Sequence, residues 1–344
     1  MREYDGAVPL IDAPDPACPA DGVVVAVRAC GVCRSDHHAW KGTDPDVELP
    51  HVMGHELAGE VVEVGPDCRH ATIGDRVTAP FILGCGSCVA CTGGQATACD
   101  RQEVIGFTAW GAFAEFVAVP RADFNLVALP DEMDFVSAAG MGCRVTTAWR
   151  ALHDRGAVRE GEWLAIHGAG GVGLSAVMIA RSLGARTVAI DVSADALTMA
   201  AALGADVVVD ANEYDDVAEM VRDATGGGAH VSLDALGVQA TFENSLRSLR
   251  KLGRHVQVGM PVGSNTTVPL QLLDLVYARQ LSIHGMRGLD AAGFAPLMQL
   301  VANGELQPER LVTGRIPLSK VGAALAAMDG LQPPGITVVD ELGR

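Results

Sequence analysis

Apolar residues fall along this chain in two patterns. Up to about residue 145 they come as short runs, each closed by a turn signal. Residues 23–29 form one run, ended by Gly31, and 57–64 (LAGEVVEV) form another, closed by Gly65-Pro66. Gly74-Asp75 reads as a turn before Arg76-Val77-Thr78, and 113–119 alternates loosely until Pro120. Short strands with frequent turns predict a β-rich, barrel-like body. From Trp163 to Gly285 the pattern changes. Six strand-like runs (163–167, 187–190, 207–209, 231–234, 255–258 and 281–284) alternate with segments apolar at helical spacing (172–183, 194–203, 214–225 and 239–249). That alternation predicts an α/β, doubly wound, six-stranded parallel sheet. Residues 286–344 then carry a helix at 294–302, a second helix after Pro317 and a last strand at 336–340. No internal repeat or low-complexity tract interrupts the chain.

Composition narrows the function classes. A length of 344 residues suggests two domains. With 49% apolar and 19% charged residues, the chain is globular rather than disordered. The net charge is −17, and lysine stands only at 41, 251 and 320. Such a balance argues against nucleic acid, whose phosphates want a basic face. The most apolar window, 163–180, holds four glycines and His167 and makes a poor bilayer span. The opening MREYDGAVPLIDAPD has no apolar core of a secretory signal, so a cytoplasmic location is expected.

The turn at 167–173 (HGAGGVG) carries G-x-G-x-x-G at Gly168, Gly170 and Gly173, with Gly171 and Val172 between them. A strand enters it and an apolar helix leaves it. The first glycine allows the tight turn, the second lets a pyrophosphate approach the backbone, and the third lets helix and strand pack closely. Asp191 closes the second predicted strand, 18 residues past Gly173. A carboxylate there accepts hydrogen bonds from an adenosine ribose and repels a 2′-phosphate, which favours NAD over NADP.

Nine cysteines cannot all pair, and five crowd between Cys68 and Cys99. Cys85, Cys88, Cys91 and Cys99 follow C-x2-C-x2-C-x7-C, which suits a closed tetrahedral zinc site. An iron–sulfur cluster is the rival, but that motif wants a three-residue gap followed by proline, and here the gap is seven and Asp100 follows. A closed four-cysteine site has no open position for substrate and reads as structural. A second, open metal site needs mixed ligands. Cys33, His55 in Gly54-His55-Glu56 and Cys143 are candidates, although spacing alone cannot show that they converge. Cys18, Cys30 and Cys68 match no metal position, and His51, His70, His153, His230, His255 and His284 have no motif around them.

Together these residues, in this order from about Val23 to Asp340, resemble the zinc-dependent alcohol dehydrogenases of the medium-chain dehydrogenase/reductase family. The resemblance implies a GroES-like catalytic domain at 1–145 and 286–344, with a structural zinc lobe near 84–100, interrupted by a Rossmann NAD-binding domain at 146–285. It implies two zinc ions per chain, the catalytic one on Cys33, His55 and Cys143. Glu56 would sit beside that metal, Asp36 would orient a ligand imidazole, Ser35 would hydrogen-bond the alcohol, and His38 would end a proton relay through the nicotinamide ribose. Arg34 would face the pyrophosphate, and Thr147 joins the glycine turn and Asp191 as a cofactor-binding position. Trp40 and Phe81 match positions that line the substrate cleft and read equally well as core aromatics. The implied reaction interconverts a primary or secondary alcohol and its aldehyde or ketone by hydride transfer to NAD. A small-molecule substrate and a homo-oligomer, tetramer or dimer, are the implied partners, with no nucleic acid and no membrane.

Three features depart from the family pattern. Met1–Gly6 is polar and short where an apolar strand is usual. Gly335 is followed by Ile336, where an arginine often reaches the cofactor phosphates. No lysine follows Asp191 in Ser193-Ala194-Asp195-Ala196. Two other readings stay open: a zinc enzyme of the same fold acting on a polyol, sugar or amino-acid hydroxyl, and a non-catalytic zinc-binding relative.

Overall fold

The computed structural model describes residues 1–331 and 333–343. One of its sheets has six strands in the order Val207–Asp210, Arg186–Asp191, Trp163–His167, Ala229–Asp234, Leu249–Gln257, Ser282–Gly285, with every neighbour pair parallel. The direction of winding reverses between Trp163–His167 and Ala229–Asp234. Such a reversal opens a crevice at the carboxyl ends of the strands. The expected α/β doubly wound sheet is therefore present. Its central strands are apolar on both faces because helices cover both. Leu164, Ile166, Leu174, Ile179 and Leu233 are all fully buried here. Each side chain of that size contributes about 1.5–3 kcal/mol by leaving water.

Helices Gly171–Ser182, Ala194–Leu203, Val217–Ala224 and Gln239–Arg247 fall within a few residues of the predicted segments. The fifth strand differs: it begins at Leu249, inside the segment predicted as helix. Arg250, Lys251 and Arg254 make its exposed side polar and hide the strand from a reading based on apolar runs. Two histidines are buried in this half. Among the described residues the His167 ring meets only the Ser248 hydroxyl, and His255 meets Ser245, Ser232 and the Gln257 amide. None of these partners supplies a negative charge, so burial lowers His167 to about 3 and His255 to about 4.

The second sheet runs Val312–Pro317, Ile336–Glu341, Val23–Val32, Glu56–Val64, Arg76–Thr78, Val127–Ala128, with Phe116–Val119 also pairing to Val23–Val32. The late strand Ile336–Glu341 lies antiparallel beside the first, with Val32 opposite Thr337. The chain thus leaves this sheet, forms the parallel one and returns. The strand Val312–Pro317 and the helix Arg34–Lys41 were not legible as elements in the sequence.

A longer surprise lies between the sheets. Residues 135–155 form one continuous helical run, alternating α segments (Phe135–Gly140, Thr146–Arg150) with π-helical ones (Met141–Val145, Ala151–Arg155). Asp134 caps its start by accepting from the Ser137 N–H. The expected domain boundary at 145/146 falls inside this run. Among the described residues, no helix is long and apolar enough to cross a membrane.

Candidate active site

Helix Arg34–Lys41 begins directly after Cys33. Asp36, its third residue, reaches back to accept from the Cys33 N–H at 2.9 Å. The other oxygen of the same carboxylate accepts from the Gly54 N–H at 3.1 Å and lies 2.8 Å from His55 Nδ1. One fully buried carboxylate therefore fixes two distant segments and sets the histidine ring. Gly54 stands at φ +98°, and an added Cβ would meet the Phe113 backbone nitrogen at 2.5 Å, so the approach needs glycine.

Cys143 arrives from the long helical run. It sits in the π-helical stretch Met141–Val145, where its N–H donates to Glu56 Oε1 at 3.0 Å. Local π geometry of this kind is frequent at functional sites. One donor atom each from Cys33, His55, Glu56 and Cys143 lies within 4.8 Å of the others, and all four residues are buried. His55 Nε2 is buried with no hydrogen-bond partner among the described residues. An imidazole held by a carboxylate on one nitrogen and orphaned on the other is the arrangement of a metal ligand. The thiols agree. A hydrogen bond from Cys143 holds Cys33 well below the usual thiol range, and the same bond raises Cys143. Burial would push the His55 imidazolium down, but Asp36 and the Cys33 sulfur outweigh it. Two sulfurs and one imidazole are a zinc donor set that leaves a fourth position open.

The four-cysteine lobe is built differently. Cys85 Sγ lies 3.9 Å from Cys91 Sγ, and Cys88 Sγ lies 3.7 Å from Cys99 Sγ. Four sulfurs about 2.3 Å from a central zinc would stand about 3.8 Å apart, so these spacings fit a tetrahedron. Backbone N–H groups of Cys85, Cys88 and Arg101 donate to the sulfurs, each at 3.3 Å. Such donors favour thiolate: N–H groups led by Ser87 lower Cys85 to about 5, while burial pushes Cys91 to about 12.

At the crevice, the turn predicted from glycines is tight. An added Cβ at Gly173 would meet the Gly168 carbonyl oxygen at 1.8 Å, while at Gly170 it would meet nothing within 4 Å. The third glycine is thus needed for packing, and the second borders open space that a phosphate would use. Asp191 closes its strand by accepting from the Ala169, Val192 and Ser193 N–H groups. It therefore ties the glycine turn to the second strand. The buried Thr147 hydroxyl has no partner among the described residues. These features fit a dinucleotide.

The other predicted positions divide. The Ser35 hydroxyl lies 3.9 Å from Cys33 Sγ. His38 is half-buried, and burial, with help from His37 and Arg34, lowers its imidazolium. Phe81 is buried with its ring edge-on to His55, centroids 5.5 Å apart. Trp40 is buried in the same apolar cluster, its indole N–H donating to the Gly6 carbonyl at 2.8 Å. Arg34 is exposed and donates to the Met328 carbonyl. Two residues beside the ligands escaped the sequence reading. Phe107 tilts against His55 at 5.2 Å. Arg144 forms a buried pair with Glu56. A charged residue directly after a candidate ligand was the only available signal for the latter.

Comparison with known proteins agrees with this geometry. Residues 19–131 match the alcohol dehydrogenase GroES-like domain, and residues 171–303 match the zinc-binding dehydrogenase family. An alcohol dehydrogenase of Geobacillus stearothermophilus is 33% identical over 335 residues, covering 94% of this chain and 96% of that protein. The crystal structure of an NAD-dependent alcohol dehydrogenase superposes with TM-score 0.89 at 31% identity, covering 99% of this chain and 98% of that one. A zinc-binding dehydrogenase from Sinorhizobium meliloti 1021 bound to NADP superposes with TM-score 0.85 at 27% identity, covering 95% and 94%. With its donor sets, its glycine turn and these relatives in agreement, the chain belongs to the zinc-type medium-chain alcohol dehydrogenase family.

Proposed function

We propose that this protein is an NAD-dependent alcohol dehydrogenase holding two zinc ions per chain. The observation that carries the reading is the convergence of Cys33, His55 and Cys143 on one point, with His55 Nε2 unpartnered. Zinc on these three residues would supply Lewis acidity to an alcohol oxygen, and a nicotinamide ring would supply the two-electron acceptor. The chain's own residues do the rest. Asp36 keeps the imidazole in its ligand orientation. The Ser35 hydroxyl, beside Cys33, takes the proton of the alcohol. His38, half-buried on the next turn of the same helix, would pass it on toward solvent. Phe81 and Phe107 pack against His55 and keep water from it. The lobe of Cys85, Cys88, Cys91 and Cys99 holds the structural zinc.

The division into 1–145 with 286–344, and 146–285, belongs to this reading, supported by which strands share a sheet. NAD is preferred on the strength of Asp191, although an NADP-bound neighbour exists. A cytoplasmic location suits cysteines kept reduced for metal. Assembly into a dimer or tetramer is supported by the edge strand Ser282–Gly285 and by the exposed Leu272, Leu273 and Tyr277 nearby.

Metal analysis joined to a substrate panel tests the reading. Two zinc ions per chain are expected, one removable with loss of alcohol-dependent NAD reduction. A single zinc, or two zincs without dehydrogenase activity on any alcohol, sinks it. Preference for a sugar, polyol or threonine moves the substrate to the alternative class. Asp191→Gly should cut discrimination against NADP about tenfold, near the value of one hydrogen bond to a charged group. Unchanged discrimination removes Asp191 from its role.

A further inference from the structure

Arg144 is a buried cation beside the open metal site, and nothing in the reaction above employs it. It follows the ligand Cys143 directly. Its Nε donates to Glu56 Oε1 at 3.2 Å, its second terminal nitrogen pairs with Glu56 Oε2, and its first donates to the Val32 carbonyl at 3.0 Å. Val32 precedes the ligand Cys33, and Glu56 follows the ligand His55. Arg144 therefore touches or adjoins the neighbour of every ligand in the open metal site.

Three glycines make room for this pair. An added Cβ would meet Glu56 Oε2 at 1.9 Å from Gly31, Glu56 Cβ at 2.8 Å from Gly142, and Arg144 Cδ at 2.4 Å from Gly171. Gly171 is the first residue of the helix that opens the dinucleotide turn. The side chain that organises the ligand loops is thus in van der Waals contact with the backbone expected to hold pyrophosphate. The contact is made by the aliphatic Cδ, while the guanidinium stays on Glu56 and the Val32 carbonyl.

We propose that Arg144 is a positioning residue that couples the two sites: ordering of the glycine turn by a bound dinucleotide restrains Arg144, and through Glu56 and Val32 it tightens the three metal ligands. The inference rests on the nucleotide reading of the turn. Coupling of this kind is reciprocal, so the turn's occupant must slow loss of the metal.

Zinc-loaded protein, a chromophoric chelator and ADP-ribose test it. ADP-ribose fills the turn but lacks the nicotinamide ring, so it leaves the metal pocket uncovered. Saturating ADP-ribose should slow release of the catalytic-site zinc at least about fivefold in the wild type, the lower end of usual coupling. The ratio should fall below about twofold in Arg144→Lys, which keeps the charge but loses the forked geometry. It should fall equally in the double variant Glu56→Gln/Arg144→Gln, which leaves no unpaired charge buried. A merely structural role would change release with and without ligand alike and leave the ratio unmoved. Equal slowing in the wild type and both variants overturns the proposal. So does a wild type that binds ADP-ribose, by calorimetry, with no slowing. A wild type that binds no ADP-ribose overturns the nucleotide reading and this inference with it.

Discussion

The two cysteine centres solve the same coordination problem by opposite means. The lobe takes all four donors from one segment, residues 85–99, and sets their sulfurs with nearby backbone N–H groups. Its residues Cys85 and Cys88 are only partly buried. The other centre gathers donors from residues 33, 55 and 143, buries all of them, and needs a carboxylate to align two of the loops and a buried ion pair beside the third. A local site closes on its metal and holds a surface lobe. A convergent site can leave one position open, because its geometry is held by the surrounding fold instead of by a fourth ligand. In the proposed reading, structural and chemical roles are thus separated by how far apart in sequence the ligands stand.

That contrast can be broken most severely at Cys143. Cys143→Ala should remove one of two zinc ions and lower alcohol-dependent NAD reduction at least about a thousandfold, roughly 4 kcal/mol of barrier. The lobe's zinc should stay. Full zinc content with surviving activity would erase the distinction. Cys91→Ser should give the reverse: loss of the lobe's metal and a fall of about 5 °C or more in the thermal midpoint, since a structural metal's binding energy is folding energy. Catalytic-site zinc should remain in the folded fraction. Asp36→Asn keeps the shape but weakens the hold on His55, and should cost about tenfold to a hundredfold in zinc affinity at the convergent site alone, measured by chelator competition.

Acid separates both centres from the parallel sheet. His167 and His255 titrate in the folded protein near 3 and 4, against about 6.5 unfolded. Below pH 6.5 the unfolded chain takes up protons that the folded chain refuses. Stability from these groups is therefore whole above pH 6.5 and lost as pH falls, by up to about 1.4 kcal/mol per pH unit for each histidine. His167→Gln/His255→Gln should flatten that slope in urea unfolding while leaving the pH of zinc release unchanged. A slope that persists would place the acid sensitivity elsewhere.

What could be read beforehand follows the same division between local and convergent. Most of the parallel sheet was legible because its central strands bury continuous apolar runs, and Trp163–His167 and Ala194–Leu203 fall where the pattern puts them. The four-cysteine spacing and the glycine turn were legible because their chemistry sits within a few residues. Convergence of Cys33, His55 and Cys143 was not, and it entered only through family resemblance. The run at 135–155 escaped because its apolar positions drift out of a 3.6-residue period wherever the helix widens to π geometry. Arg144 escaped for a different reason: an arginine's default place is the surface, and only the packed structure shows the carboxylate and glycines that make a buried one tolerable.

The pairing of Ile336–Glu341 with Val23–Val32 also imposes an order of events. Val32 leads into the first ligand, yet its partner Thr337 is translated only after the whole parallel sheet has left the ribosome. The parallel sheet can collapse as it emerges, because its contacts lie within one stretch of chain. The strand that leads into Cys33 is therefore paired on both sides only once the late strand docks. A nascent chain stalled before residue 336 should accordingly hold zinc more weakly on Cys33, His55 and Cys143 than in its four-cysteine lobe.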